Sequence, residues 1–265
     1  MAVVQLGGHP VTIRAEEVGF DRRESVEDVA RTLGSYHSLI GARVVRHATL
    51  ERMVAGLSAI RQASARQAPS SLASIEHVPV VNLLSDLEHP TQAVADLLTI
   101  AQEFGDVAGR SVAYVGDANN VCRSLTEACL MSGASMRIAA PKGYQPTEDD
   151  LRRAADLGGD LLVTDRPEEA AEGADVLYTD VWLSMGDDVD AGAKRKAFAG
   201  FSIDERLLER AAPKAIVLHC LPAHRDEEIS AGALDGPQSR VWRQAENRMH
   251  AARAMFAYAV GDGAA

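Results

Sequence analysis

Cysteine is scarce: Cys122, Cys129 and Cys220 are the three in 265 residues. That excludes a disulfide-stapled scaffold and reads as free thiols in a reducing compartment. No apolar stretch is long enough to span a bilayer. The opening residues, Met-Ala-Val-Val-Gln-Leu-Gly-Gly, lack a basic n-region followed by a long apolar run, so no signal peptide is expected. An excess of positive charge is also lacking. Lys and Arg number 27 against 38 Asp and Glu, a net charge of −11. That argues against a nucleic-acid surface, although a few arginines in a cleft can still attract a small anion. The expectation is a soluble, cytoplasmic protein that binds neither nucleic acid nor membrane. Internal repeats and low-complexity tracts are absent too.

The apolar content is 46%, enough for a core in one large domain or two small ones, and 25% charged residues exclude wholesale disorder. Short apolar runs alternate with helical periodicity. Strands are expected at 38–45, 78–83, 111–115, 136–139, 161–164, 176–179 and 215–218. Helices are expected at 48–59, 91–104, 121–131, 148–157, 204–211 and 241–260, with a short Glu/Ala helix before 176. Residues 58–77, rich in Ser, Ala, Arg and Gln, read as a helix end followed by a surface loop. Strand–helix alternation with buried strands implies parallel sheets covered by helices. The fold class is therefore α/β. Two domains are expected, 1–105 and 106–240, with the helix at 241–260 packing back on the first. About five strands fall in the second domain and two or three in the first, which reads as incomplete.

Five segments carry candidate chemistry. His89-Pro90-Thr91-Gln92 puts proline at a first helical position, with His89 as N-cap and Gln92 on the same turn. Backbone N–H groups and the helix dipole suit that end to an anion, while plain capping is the competing explanation. Gly116-Asp117-Ala118-Asn119-Asn120 follows the strand at 111–115, where α/β sheets bind ligands. It is not GxGxxG, so a dinucleotide is not expected, and an Asx turn is the alternative. Thr179-Asp180-Val181-Trp182-Leu183-Ser184-Met185-Gly186 follows another strand, with Asp180 able to bind an amine. His219-Cys220-Leu221-Pro222-Ala223-His224 ends a third. A zinc site there lacks a second ligand pair at zinc spacing, and a Cys/His nucleophile lacks a signature, leaving a buried thiol as the alternative. Arg248, in Glu246-Asn247-Arg248, can reach an anion or lie on a solvated helix face. Strands ending at 115, 179 and 218 all deliver polar residues at the carboxyl edge, which points to one crevice.

Taken together, His-Pro-x-Gln at 89–92, Gly-Asp-x-Asn-Asn at 116–120, Asp-x-Trp-x-Ser-Met-Gly at 180–186, His-Cys-Leu-Pro at 219–222 and Ala-Glu-Asn-Arg at 245–248 resemble the ornithine carbamoyltransferases. The resemblance spans nearly the whole chain, and its Ser-Met-Gly loop favours ornithine over aspartate as acceptor. It implies a two-domain subunit, commonly trimeric, that needs no metal or cofactor and takes carbamoyl phosphate and L-ornithine. His89 and Arg43 would contact the carbonyl oxygen and phosphate side of carbamoyl phosphate, and Gln92 its amide. The backbone at Cys220 and Leu221 would orient the carbamoyl NH2 group, and Arg248 would complete the anion pocket. Asn120, Asp180, Ser184 and Met185 would hold ornithine, with Asp180 on its α-amino group. Cys220 would position rather than attack. Another amine acceptor, such as putrescine or an acylated ornithine, and a non-catalytic ornithine-binding or subunit-interaction protein are the alternatives.

One family motif has no counterpart. Ser-x-Arg-Thr-Arg, which opens a helix and cradles phosphate in the family, does not occur, and residues 5–10 resemble the segment after that helix. The resemblance therefore implies a truncated N-terminal domain and weakened carbamoyl-phosphate binding.

Overall fold

A computed structural model describes residues 1–64, 78–183 and 190–261. The elements fall into two units. The first comprises Met1–Thr91 with Met249–Ala265. It holds α1 (Ala2–Gln5), α2 (Ala15–Val18), α3 (Val26–Gly34), β1 (Ile40–Arg43), α4 (His47–Ser64), β2 (Val80–Leu84) and the first residues of α5 (Pro90–Phe104). Among the described residues its sheet has two parallel strands, with Ile40 opposite Val80.

Helix α3 is absent from the sequence reading because 26–34 is dominated by charge. Val26 and Ala30 turn inward with Ile40, Leu50, Met53 and Leu57, and Leu33 packs against the same cluster. The start is set locally, since Ser25 Oγ accepts the Asp28 amide at 3.1 Å. Arg52 of α4 locks the pair of helices by donating to Glu27 and Asp21. A side chain at Gly56 would meet the Glu27 carbonyl oxygen at 2.6 Å, so glycine permits this close crossing. Helix α4 continues through Ser64, and the rest of the expected 58–77 segment, 65–77, lies outside the described residues.

The second unit, Gln92–Arg248, continues α5. Then follow β3 (Ser111–Val115), α6 (Asn120–Met131), β4 (Ser135–Ala139), α7 (Glu148–Asp156), β5 (Leu161–Thr164) and α8 (Pro167–Ala171). After these come β6 (Val176–Thr179), α9 (Ala191–Ala197), α10 (Glu205–Leu208), β7 (Ile216–His219), α11 (Ala231–Asp235) and the start of α12 (Val241–Val260). The strands form one parallel sheet in the order β5-β4-β3-β6-β7. Alternate residues feed opposite faces. Tyr114, Met136, Ile138 and Tyr178 pack with Leu125 and Cys129 of α6 on one side. Ala113, Val115, Leu177 and Val217 meet Phe198, Ile203 and Leu207 on the other.

The units divide within α5, between Thr91 and Gln92, and within α12, between Arg248 and Met249. The expected boundary at 105/106 lies just past the C-terminal end of α5. Helix α10 is shorter than the expected 204–211. Pro213 disfavours helical geometry at Ala212, and the Arg210 carbonyl accepts from Gly173 rather than continuing a helix. Among the described residues, no helix is long and apolar enough to cross a membrane.

Candidate active site

The sheet order reverses between β3 and β6: the chain winds from β3 to β4 and β5, then returns to β6 on the other side of β3. The carboxyl ends of these two strands form the switch point where such sheets bind ligands. At the end of β3, Gly116 has φ of 147°, a conformation glycine adopts without strain. Asn119 caps α6, its Oδ1 accepting the amides of Val121 at 2.9 Å and Cys122 at 3.1 Å. That fixes its amide, and the Nδ2 group donates to Asp180 Oδ2 at 2.8 Å. Asp180, buried just past β6, also accepts at Oδ1 from the Val181 amide and the Cys220 thiol, each at 2.8 Å. Desolvation first, and the Asp180 charge second, push the Cys220 thiol well above its usual pKa. The sulfur is thus a protonated donor, not a thiolate nucleophile.

His219 ends β7 fully buried. Its Nδ1 lies 2.9 Å from the Leu221 amide, which can only donate, so Nδ1 accepts and Nε2 carries the proton. Nε2–H then donates to Glu228 Oε1 at 3.1 Å, and the His224 amide donates to the same oxygen. This bracing holds Leu221 at φ of 59°, a left-handed conformation costing about 1–3 kcal/mol for a residue with a β-carbon. Among the described residues, Asp180, His219 and Cys220, and separately His224, Glu227 and Glu228, lie close enough to share a cation. In the first group both His219 nitrogens and Asp180 Oδ1 are already hydrogen-bonded, and the thiol is protonated, so this donor set is committed to structure. In the second, Glu228 Oε2 is buried without a hydrogen bond and stands 3.9 Å from His224 Nδ1.

Gln92 and Arg248 come together, Arg248 Nη1 donating to Gln92 Oε1. Gln92 Nε2 donates to Asp96 Oδ1 at 2.7 Å. In the first unit, His89 is buried at the start of α5, with Nδ1 3.5 Å from the Thr91 hydroxyl, and Arg43 is exposed at the end of β1. Asn120 is the half-buried first residue of α6. Leu221 is half-buried after β7. Ser184 and Met185 lie outside the described residues.

Asp96, Gln244 and Glu228 belong to this constellation without having been singled out in the sequence, and Asn119, there only part of the 116–120 turn, takes a place of its own. Asn119 sits beside the expected Asn120, and the cap preference for Asn was a signal for it. Asp96 shares a helix face with Gln92, four residues on. For Gln244 and Glu228 nothing local distinguishes them from solvated residues.

Comparison with known proteins shows the family and the fold. The family model described as aspartate/ornithine carbamoyltransferase, carbamoyl-P binding domain, matches residues 1–102. The companion Asp/Orn binding domain matches residues 108–259. Ornithine carbamoyltransferase of Acidothermus cellulolyticus is 46% identical over 97% of this chain and 78% of its own length. That of Thermus thermophilus is 46% identical over 97% and 77%. The solved ornithine carbamoyltransferase of Pyrococcus furiosus superposes with a TM-score of 0.85 at 40% identity, over 97% of this chain and 77% of that one. A solved N-acetyl-L-ornithine transcarbamylase gives a TM-score of 0.75 at 25% identity, over 96% and 82%.

Proposed function

Because the chain belongs to the aspartate/ornithine carbamoyltransferase family and is a carbamoyltransferase, we propose that it transfers the carbamoyl group of carbamoyl phosphate to the δ-amine of L-ornithine. The products are L-citrulline and phosphate. The observation that carries the acceptor is Asp180: a buried carboxylate at the sheet's switch point, its geometry pinned by Asn119, Val181 and Cys220. Such an acceptor-only group matches the α-ammonium of an amino acid.

The neutral δ-amine attacks the carbonyl carbon, a C–N bond forms, the bond from the carbonyl carbon to the phosphate oxygen breaks, and one amine proton passes to the departing phosphate. Negative charge that builds on the carbonyl oxygen is met by His89 and Arg43 as donors. Gln92 and the backbone at Cys220 and Leu221 hold the carbamoyl NH2 group, and Arg248 supports the anion. Asn120, Ser184 and Met185 complete the ornithine contacts. Holding both substrates in attack geometry supplies much of the rate.

The test is citrulline formation, with putrescine, N-acetyl-L-ornithine and L-aspartate assayed beside ornithine. Ornithine is expected to be preferred. The solved N-acetyl-L-ornithine relative motivates the second reading, and faster turnover of the acylated amine would establish it. Binding of ornithine without turnover would instead point to a non-catalytic protein. These 265 residues contain no Ser-x-Arg-Thr-Arg. Assayed on their own, these residues are expected to show a KM for carbamoyl phosphate raised by roughly 10²–10⁴-fold, the cost of two missing charge-assisted phosphate contacts at about 1.5–3 kcal/mol each. A KM in the range of the family's other members would remove the impairment and leave the reaction standing.

We further infer a cytoplasmic homo-oligomer, a trimer or a multiple of it, a reading that the family membership supports. Light scattering on the eluted protein should give a mass of three chains or a multiple, and a monomer would overturn that assignment.

A further inference from the structure

The roles proposed above leave the fully buried carboxylate of Asp96 unused. Asp96 lies one helical turn after Gln92 on α5. Its Oδ1 accepts from Gln92 Nε2 and from Gln244 Nε2, both at 2.7 Å, and its Oδ2 accepts from the Tyr178 hydroxyl at 3.1 Å. Gln244 Nε2 also donates to the Tyr178 oxygen at 3.2 Å.

An ionised carboxylate only accepts hydrogen bonds. It therefore decides which end of each glutamine amide faces it: the NH2 turns inward and the carbonyl oxygen turns away. For Gln92 the outward oxygen meets Arg248 Nη1. For Gln244 it accepts the backbone N–H of His219 at 2.8 Å. His219 leads directly into Cys220 and Leu221. A single carboxylate thus orients two amides, one on α5 and one on α12, and each serves a different part of the site.

We propose that Asp96 is a positioning residue for carbamoyl transfer: it turns the Gln92 carbonyl oxygen toward the carbamoyl NH2 group and, through Gln244, holds the backbone that leads into Cys220 and Leu221. This rests on the reaction proposed above. The Gln92 oxygen has two lone pairs, one facing Arg248 and one suited to an N–H donor such as a carbamoyl amide. A flipped amide would oppose one NH2 group with another.

Desolvation raises the Asp96 pKa to about 6, against the lowering effect of its hydrogen bonds to Gln244, Gln92 and Tyr178 and of the Arg248 charge. The titratable groups coupled to it are Tyr178 on β6, Cys129 on α6, Cys220 after β7 and Arg248 on α12. Burial drives Tyr178 and both thiols upward, away from the neutral range. Below about pH 6 the Asp96 carboxyl therefore gains a proton, one oxygen becomes a donor, and the arrangement of the amides is no longer unique.

The test is Asp96→Asn in the full chain. Asparagine keeps the shape and one acceptor but removes the charge that makes these bonds strong. Its kcat/KM for carbamoyl phosphate is expected to fall about tenfold, with KM for ornithine changed less than about twofold and the melting temperature close to the parent's. The parent's kcat/KM should decline as pH drops through about 6, and the variant should lack that step. As a ligand-free readout, backbone exchange of the His219 amide should accelerate in the variant. Parent-like kinetics at every pH with unchanged exchange overturn the inference and leave the reaction intact. A folded parent that makes no citrulline overturns the reaction, and the inference with it.

Discussion

Asp180→Ala should lower kcat/KM for ornithine by about a hundredfold or more, while the protein stays folded. Asp180 is buried and accepts from three protein donors: the Asn119 amide, the Val181 N–H and the Cys220 thiol. These bonds aim the carboxylate but leave its charge uncompensated by any cation among the partners named. An incoming ammonium supplies that compensation. Truncating one partner of a buried charged pair costs about 2–5 kcal/mol, mostly because the other charge is left alone in a desolvated site. That range corresponds to roughly 30-fold to several thousandfold. Asp180→Asn separates charge from shape: it keeps a group for Asn119 and Cys220 to meet and still loses the ion pair. Its rate should lie near the alanine variant, not near the parent. Steady-state kinetics at saturating carbamoyl phosphate decide the matter. An Asp180→Ala enzyme within about threefold of the parent removes Asp180 from the ornithine site.

The second large effect is on stability. Glu228→Ala should lower the melting temperature of the second unit by about 10 °C. Glu228 is fully buried, and its Oε1 receives both the His219 ring N–H and the His224 amide. Alanine leaves both donors buried without an acceptor and opens a cavity. Each buried donor left unsatisfied costs about 1–3 kcal/mol, and each kcal/mol moves the midpoint by about 2–4 °C in a domain of this size. Glu228→Gln retains one acceptor oxygen and should lie between the two. Activity should fall with stability, because His219 Nδ1 holds the Leu221 amide and with it the left-handed turn. A melting curve for Glu228→Ala that overlays the parent's would show that the buried pair does not hold this turn.

Parts of the molecule follow from short stretches of chain. The strands β3, β5 and β6 appear at the residues read from their apolar runs, because three or four consecutive apolar residues closed by Gly116, Asp165 and Asp180 have few other stable conformations. Pro90 sets the start of α5, since proline fits the first helical position and lacks the N–H that a helix interior needs. Helix α3 escaped because its nine residues give few apolar positions between Glu27, Asp28 and Arg31, and α9 and α11 because helices of seven and five residues carry too little periodicity to register.

The sequence by itself determined the α/β alternation, the family-level motifs and the strand ends that carry Gly116, Asp180 and Cys220. Those depend on neighbours within one turn or one strand. Tertiary structure alone decided which polar atoms meet. Asn119 and Asn120 are indistinguishable as letters, yet Asn119 reaches Asp180, 61 residues away, because capping α6 consumes its oxygen and leaves its NH2 group at the β6 edge. Asp96 gains Gln244 at a separation of 148 residues, and Arg248 meets Gln92 at 156. Such pairings depend on which strand lies beside which and on which face of a helix turns inward, and both are outcomes of packing the whole core.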